Sequence, residues 1–244
     1  MINNAQWITE SSITHRGLCN KDVPENSLRA FELCIEKGYA IELDVQMLCD
    51  GTLVVFHDWT LDRMTAGEGV LSYRSITEIE QLRLINSDQI IPQLSDVLNL
   101  VKGQVPLLIE LKNKTHKRSF FVKNFLKEMS NYRGRYAVSS FDSFLLKEFD
   151  DHTSTVIKGL NFTNYKNSGV IFGWVKKISM YMLWFVSRLS ADFYVCHASM
   201  LPYCWIATKA RKKQKPLLTW GVKSKKEFES IQNTIDNNIC DMQY

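Results

Sequence analysis

Short apolar runs alternate with longer amphipathic segments along this sequence of 244 residues. Runs rich in Val, Ile and Leu are typical of buried strands, and the segments between them have helical spacing. The predicted strands are Ser11–His15, Ala40–Gln46, Val105–Lys112, Tyr136–Phe141, Thr155–Leu160, Ala191–Cys196, Pro216–Val222 and Asn238–Asp241. The predicted helices are Ser27–Lys37, Leu94–Lys102, Lys117–Asn131, Asp142–Phe149, Val170–Leu189, Met200–Lys212 and Ser224–Ile235. This alternation predicts an α/β fold, a TIM (β/α)8 barrel of parallel strands.

Two segments interrupt the alternation. Leu53–His57 follows the turn-forming pair Asp50-Gly51, and Leu61–Pro92 contains a Gly-rich turn and a helix-like stretch at Ser75–Leu84. We interpret the second segment as a short insertion after the second strand, over about residues 59–93. The chain length suits one α/β barrel, so we expect residues 1–244 to form a single domain.

Composition narrows the class of protein. An apolar content of 45% and a charged content of 23% exclude disordered, collagen-like and coiled-coil chains. A net charge of +4 excludes a strongly basic nucleic-acid binder, and we expect no nucleic-acid partner. The six cysteines form no CxxC pair, and the first residues lack a secretory pattern. We therefore expect free thiols and a cytoplasmic location.

Acidic residues interrupt two neighbouring predicted strands near their carboxyl ends, where barrels of this class place their sites. Because strand side chains alternate, Glu42 and Asp44 share the inward face of the second strand, as Glu110 and Lys112 share that of the next barrel strand. Burying three inward carboxylates is costly unless a cation lies between them, and the alternative is a buried salt-bridge network with Arg16 and Lys112. All-oxygen ligation favours a hard divalent cation, Mg²⁺ or Ca²⁺.

Histidines flank this acidic cluster from two directions. The first strand ends in His15-Arg16-Gly17, which brings an imidazole and a fixed cation to the barrel mouth. If Leu53–His57 folds back about a two-residue Asp50-Gly51 turn, the numbers of cross-strand partners sum to 101. His57 then lies directly opposite Asp44 and on the same face, whereas a slip of one residue would turn it away.

Two histidines, three carboxylates and two cations at one barrel mouth suit phosphodiester cleavage. A metal ion and Arg16 would neutralise the phosphate and the charge that develops in the transition state. One imidazole would take a proton from the attacking hydroxyl, and the other would give a proton to the departing alkoxide. The residues leave open which histidine does which.

A series of short motifs follows in order along residues 11 to about 145. The motifs are His15-Arg16-Gly17, Pro24-Glu25-Asn26-Ser27, Glu42-Leu43-Asp44-Val45, Asp50-Gly51, Val54-Val55-Phe56-His57-Asp58, Leu61-Asp62-Arg63-Met64-Thr65, Ile91-Pro92-Gln93-Leu94, Ile109-Glu110-Leu111-Lys112 and Ser139-Ser140-Phe141-Asp142. This series resembles the glycerophosphodiester phosphodiesterase family. Each motif alone is weak, but the ordered set is highly specific.

The resemblance implies a TIM barrel that uses a divalent cation to hydrolyse small glycerophosphodiesters to sn-glycerol 3-phosphate and an alcohol. It implies His15 and His57 as acid and base, Glu42, Asp44 and Glu110 as metal ligands, Arg16 and Lys112 as phosphate contacts, and Glu25 beside the site. Attack by water and attack by the neighbouring glycerol hydroxyl, through a cyclic intermediate, are both open.

The second half departs from the family pattern at Thr219-Trp220-Gly221-Val222-Lys223 and at Cys240-Asp241-Met242-Gln243-Tyr244. The alcohol released is therefore open. One alternative is a phospholipase-like phosphodiesterase that acts on a lysolipid or a glycerol-phosphate polymer. Another is a non-catalytic barrel that binds an anionic lipid or polymer.

Two segments are candidates for peripheral contact with the inner face of a membrane. Residues 170–189 are unusually apolar but are interrupted by Lys176 and Lys177, so they suit an interfacial helix better than a transmembrane span. Residues 209–226 are strongly basic, which suits either a solvated face or an anionic lipid surface. The sequence does not predict an oligomeric state.

Overall fold

The computed structural model describes residues 5–114, 117–152, 155–163 and 191–241. The strands are β1 (Ile13–Thr14), β2 (Ala40–Met47), β3 (Leu53–Val55), β4 (Leu107–Leu111), β5 (Tyr136–Ser140), β6 (Lys158–Phe162), β7 (Phe193–His197), β8 (Leu217–Trp220) and β9 (Asn237–Cys240). The helices are α1 (Trp7–Glu10), α2 (Leu28–Lys37), α3 (Ile76–Ile79), α4 (Leu94–Val101), α5 (Arg118–Met129), α6 (Ser143–His152), α7 (Trp205–Lys213) and α8 (Lys225–Ile231). Two short 3₁₀ helices span Leu71–Tyr73 and Ala198–Met200.

Eight parallel strands close into a barrel. The order is β1, β2, β4, β5, β6, β7, β8 and β9, and β1 pairs with both β2 and β9. Strand β3 adds to β2 as an antiparallel hairpin partner. The predicted TIM barrel is therefore confirmed, with most elements within a few residues of their predicted bounds. The helix predicted at Val170–Leu189 lies outside the described residues.

Alternation along the strands separates two apolar layers. Leu43 and its outward neighbours pack with Phe31 of α2 in the layer between barrel and helices. Inward residues such as Leu108 and Phe193 form a second core inside the barrel, and Trp7 of α1 packs against it. The charged inward residues of β2 and β4 lie further along the same strands. They are therefore carried to the carboxyl-terminal mouth of the barrel.

The insertion between β3 and α4 has its own small apolar cluster, which includes Leu61, Leu71 and Ile79. Its helix α3 is shorter than the predicted Ser75–Leu84 stretch. The reason is that Leu84 and Arg83 form bridges to Thr65 and Ile90, so their backbone is extended rather than helical.

The predicted hairpin is present, but its register is wrong by one residue. Val45 pairs with Val55, so partner numbers sum to 100 rather than 101. The turn has three residues because Leu48 N–H donates to the Thr52 carbonyl at 2.9 Å, and Gly51 adopts φ 91°. Asp44 consequently faces Phe56, whose N–H donates to the Asp44 carbonyl at 2.9 Å.

His57 still lines the cavity that holds Asp44. Strand β3 ends at Val55, so the alternation of side chains along a strand does not determine which way the side chain of residue 57 points. The prediction that His57 lies directly opposite Asp44 is therefore wrong, although the His57 side chain lines the same cavity as the carboxylates.

Two other bounds differ from the prediction. Helix α7 begins at Trp205 rather than at Met200, because Pro202 interrupts the segment and Cys204 Sγ accepts from Ile206 N–H at the helix start. Strand β6 begins at Lys158 rather than at Thr155 and continues to Phe162.

All six cysteines are free. No helix within the described ranges is both long and apolar enough to cross a bilayer.

Candidate active site at the barrel mouth

Three carboxylates converge at the carboxyl end of the barrel. Glu42 and Asp44 come from β2, and Glu110 comes from β4, where it is paired in register with Asp44. One oxygen from each lies within 4.8 Å of the others. Burial and the charge of Asp44 raise the pKa of Glu42 to about 8 and also raise that of Glu110. The three carboxylates therefore repel one another, because the positive charges around them do not balance their negative charge.

Asp44 is the carboxylate that stays ionised. Burial works to raise its pKa, but Lys112, His57 and Arg16 outweigh that effect and lower it to about 2. Lys112 Nζ lies 3.4 Å from Asp44 Oδ1, and Arg16 Nε lies 3.4 Å from Asp44 Oδ2. Asn26 Nδ2 also donates to Asp44 Oδ2 at 2.9 Å.

The loop after β1 supplies backbone as well as side chains. Arg16 adopts φ 58°, a left-handed conformation, and its N–H donates to Glu42 Oε2 at 3.0 Å. Lys112 Nζ lies 3.4 Å from Glu110 Oε1, and Asn161 Nδ2 donates to Glu110 Oε2 at 3.1 Å. Every cluster carboxylate therefore has at least one fixed donor, which defines its orientation.

The donor set fits a hard divalent cation. All three ligand candidates are carboxylates, of which Glu42 and Asp44 are buried and Glu110 is partly exposed, and oxygen ligands favour Mg²⁺ or Ca²⁺ over softer metals. Lys112 and Arg16 supply two positive charges against three acids, so a further cation would relieve the repulsion that raises the pKa of Glu42.

His15 is held by a carboxylate from the far end of the sequence. Its Nδ1 lies 2.5 Å from Asp241 Oδ1, because β1 and β9 are neighbours in the closed barrel. Burial opposes the charged imidazole, but the Asp241 hydrogen bond and the charge of Glu42 outweigh it and raise the pKa of His15.

His57 is held by a chain of ion pairs from the insertion. Its Nδ1 lies 2.6 Å from Asp58 Oδ1, and Arg63 Nε lies 2.5 Å from Asp58 Oδ2. Arg63 Nη2 then reaches Glu25 Oε1 at 2.6 Å, and the same oxygen accepts from Arg16 Nη1 at 2.8 Å. Glu25 thus lies behind Arg16 and is not one of the residues that line the cavity.

The pKa of His57 moves in the opposite direction to that of His15. Burial lowers it, and the charges of Lys112 and Arg16 add to that effect although Asp44 opposes it. Two imidazoles with opposed pKa shifts therefore face one cavity, a pattern typical of an acid and base pair.

Seven of the eight residues singled out from the sequence line this one cavity. They are His15, Arg16, Glu42, Asp44, His57, Glu110 and Lys112. Phe141, Val195, Trp220 and Ile239 form its less polar wall. The sequence reasoning missed Asn161, which the inward alternation of β6 could have identified. It also missed the partners Asp241 and Arg63, which only tertiary contacts reveal.

A model of the glycerophosphoryl diester phosphodiesterase family matches residues 15–229. The chain belongs to this family. The match includes the two cavity histidines and all three cluster carboxylates, so the site described above lies within the family region.

Curated relatives of the family agree with this membership. The chain is 36% identical over 146 residues to a glycerophosphodiester phosphodiesterase of Caldanaerobacter subterraneus subsp. tengcongensis. The aligned region covers 56% of this chain and 60% of the relative. The chain is 32% identical over 141 residues to human glycerophosphodiester phosphodiesterase 1, covering 54% of the chain and 42% of the relative. The chain thus spans about half the length of the curated relatives it matches.

Solved structures share the barrel over nearly its whole length. An Oleispira antarctica phosphodiesterase in complex with the product sn-glycerol-3-phosphate superposes with a TM-score of 0.76 at 20% identity, covering 94% of this chain and 92% of the other. A glycerophosphodiester phosphodiesterase of Thermotoga maritima gives a TM-score of 0.70 at 25% identity, covering 95% and 94%.

Proposed function

We propose that this chain is a metal-dependent phosphodiesterase that hydrolyses glycerophosphodiesters to sn-glycerol 3-phosphate and an alcohol. The observation that carries the proposal is the meeting of three carboxylates, two of them buried, with two imidazoles at one cavity whose pKa values move apart. A barrel that only bound an anionic lipid or polymer would need cations, but it would not need two such imidazoles.

The chain's own cations would position the phosphate. Arg16 and Lys112 flank Asp44 at the cavity, and each offers donors that suit phosphate oxygens. Glu42, Asp44 and Glu110 would hold Mg²⁺ or Ca²⁺, which when bound supplies charge stabilisation to the phosphate oxygens. Glu25 and Arg63 would hold Arg16 in place from behind.

The opposed pKa shifts support one division of the proton transfers between the two histidines. His57, whose pKa is lowered, would take the proton from the attacking hydroxyl as its oxygen bonds to phosphorus. His15, whose pKa is raised, would give its proton to the alcohol oxygen as the bond from phosphorus to that oxygen breaks. In both rings Nδ1 is held by a carboxylate, which leaves Nε2 for the transferred proton. These roles serve attack by water or by the neighbouring glycerol hydroxyl.

Histidine substitution tests the proposal directly. We expect His15→Ala and His57→Ala each to lower kcat for glycerophosphocholine by about 10²- to 10⁴-fold. The double variant should lose less than the product of the two, because the histidines act in one reaction. His152→Ala is the matched control, since that histidine is exposed at the end of α6.

Chelation tests the metal part of the same proposal. Activity should be lost with a chelator and should return with added Mg²⁺ or Ca²⁺. Full activity in the presence of chelator, in Glu42→Ala or in His57→Ala would contradict the assigned site.

A further inference from the structure

A second cavity opens beside the one that holds the histidines. It measures about 490 Å³, against about 50 Å³ for the first. Glu110, Lys112 and Phe141 line both, so the two cavities meet at the carboxylate cluster. Trp59 from the start of the insertion lines only the second, which we call the rim cavity.

The difference in size assigns the two halves of a substrate. A phosphodiester bound at the cluster extends in two directions, and only its glycerol half is the same in every substrate. The narrower cavity suits the invariant half, whereas the wide rim cavity suits an alcohol of varied size.

Lysines dominate the charge at one side of the rim cavity. Lys112 Nζ and Lys114 Nζ each lie 5.7 Å from the centre of the Trp59 ring. An aromatic ring is the group that most readily recognises a quaternary ammonium such as choline. Here two ammonium groups already lie at that ring, and a third cation would meet their repulsion.

Both carboxylate oxygens of Asp142, which lines the rim cavity, already accept hydrogen bonds. Asp142 Oδ2 lies 2.7 Å from Arg118 Nε and 3.3 Å from Asn113 Nδ2. Asp142 Oδ1 accepts the N–H groups of Phe144 and Leu145 at 3.1 and 3.2 Å. Each of its oxygens therefore has two donors, which leaves little capacity to attract a cationic ligand.

The other carboxylate of the rim cavity is Glu110, which accepts from Asn161 and lies 3.4 Å from Lys112. It is also one of the proposed metal ligands. Among the residues that line this cavity, no carboxylate remains to balance a cationic head group, whereas the exposed Lys114 holds its Nζ 5.7 Å from the centre of the Trp59 ring that lines the cavity.

We propose that the rim cavity binds the alcohol half of the substrate and selects a polyol that carries an anionic group over choline. Lys114 would attract the anionic group, and Asn113 and Thr163 would meet the hydroxyls. This inference rests on the proposed phosphodiesterase function and names its substrate class.

A pair of substrates with the same glycerol half tests the inference. Bis(glycerophospho)glycerol releases an anionic alcohol, and glycerophosphocholine releases choline. We expect kcat/KM to be higher for the first, and the ratio of the two to fall as salt is raised, because the selection is electrostatic. Lys114→Gln should lower this ratio by about three- to fivefold, because it removes the exposed charge that attracts the anionic group.

A matched variant separates local recognition from overall charge. Lys123→Gln removes the same charge from an exposed position on α5 outside the rim cavity, and it should leave the ratio unchanged. A preference for glycerophosphocholine, or a ratio that Lys114→Gln does not alter, would overturn the inference while leaving the phosphodiesterase function intact. Hydrolysis of neither substrate would refute the proposed function and this inference with it.

Discussion

The two cavity histidines are built alike but behave differently. Each has a carboxylate within 2.6 Å of Nδ1, yet the pKa of His15 rises and that of His57 falls. The difference comes from the neighbours of each ring. Burial lowers the pKa of both rings. At His15 the hydrogen bond to Asp241 and the charge of Glu42 outweigh burial, whereas at His57 the charges of Lys112 and Arg16 add to it. At any given pH, His15 is therefore protonated to a greater extent than His57.

Replacing Asp241 with Asn tests the assignment of His15. The loss of the carboxylate should lower the pKa of His15. Because the proposed acid must be protonated, activity is lost as pH rises through that pKa, so the alkaline limb of the kcat profile should move to lower pH. A pH–rate profile measures the shift, with Asp62→Asn as the matched exposed control. An unmoved alkaline limb would contradict the role of His15 as acid.

The same substitution has a stability signature of defined sign. A raised pKa in the folded state means that the His15 pair stabilises the fold below the ordinary histidine pKa of about 6.5. This contribution is lost as pH rises through the folded pKa. Asp241→Asn should therefore lower the free energy of unfolding at acidic pH and have less effect above the folded pKa, as denaturant titrations at several pH values would show.

Local sequence rules found the carboxylates but not their partners. The alternation of β2 and β4 was sufficient to predict that Glu42, Asp44, Glu110 and Lys112 would meet, since these residues lie on strands that pair in register. The pair of His15 with Asp241 depends on closure of the barrel between residues 226 positions apart. A pattern among neighbouring residues does not reveal a contact between residues so far apart in the sequence.

At the scale of elements, the β2–β3 hairpin shows where sequence reasoning failed. Asp50-Gly51 correctly indicated a turn, but not its length. Asp50 Oδ1 accepts Thr52 N–H at 2.9 Å, and its Oδ2 accepts Ile76 N–H at 2.7 Å from the insertion. The three-residue turn is therefore held partly by a contact 26 positions away, which spacing alone does not reveal.

The insertion contributes to the site through Arg63. This side chain joins Asp58, which holds His57, to Glu25, which holds Arg16. Arg63→Ala should lower kcat/KM by about tenfold, because it loosens the groups that flank the phosphate. Since Arg63 is 48% exposed, the loss in free energy of unfolding should stay below about 1 kcal/mol.

Steady-state kinetics and denaturant unfolding together check this prediction. Arg83→Ala is the matched control, because Arg83 is exposed in the same insertion and bonds only the Asp88 carbonyl among the contacts described. Equal effects of the two substitutions on kcat/KM would show that Arg63 has no specific role.

At the scale of the whole molecule, the alternating pattern was sufficient to predict the barrel. Strands buried on both faces and joined by helices form a parallel sheet, and eight of them in a chain of this length suit closure into a barrel. The alternation predicts which strand residues face the barrel interior. Because β1 pairs with β9 and closes the barrel, the polar residues at the ends of several strands lie around one cavity.

The basic segment 209–226 supports a proposal of peripheral membrane contact. Arg211, Lys212 and Lys213 lie in the last turn of α7, and Tyr203 and Trp205 are exposed at the other end of that helix. The second candidate segment, 170–189, lies outside the described residues. Basic and aromatic side chains together suit the surface of an anionic bilayer.

Vesicle flotation tests this contact. The protein should float with vesicles containing anionic phospholipid at low salt, remain behind with neutral vesicles, and dissociate as salt is raised. Substituting Tyr203 and Trp205 with Ser should weaken flotation without changing catalysis of a soluble substrate. Failure to float with anionic vesicles at low salt would refute the proposal.

The ion pair between His15 and Asp241 joins the first strand to the last. A ribosome releases His15 early and Asp241 only when β9 is complete, so the acid partner arrives after nearly every other part of the site. A chain that ends before residue 241 would therefore lack the hydrogen bond that raises the pKa of His15, even with every other strand in place. The carboxylate that holds His15 thus joins the site only after the strand that pairs with β1 and closes the barrel.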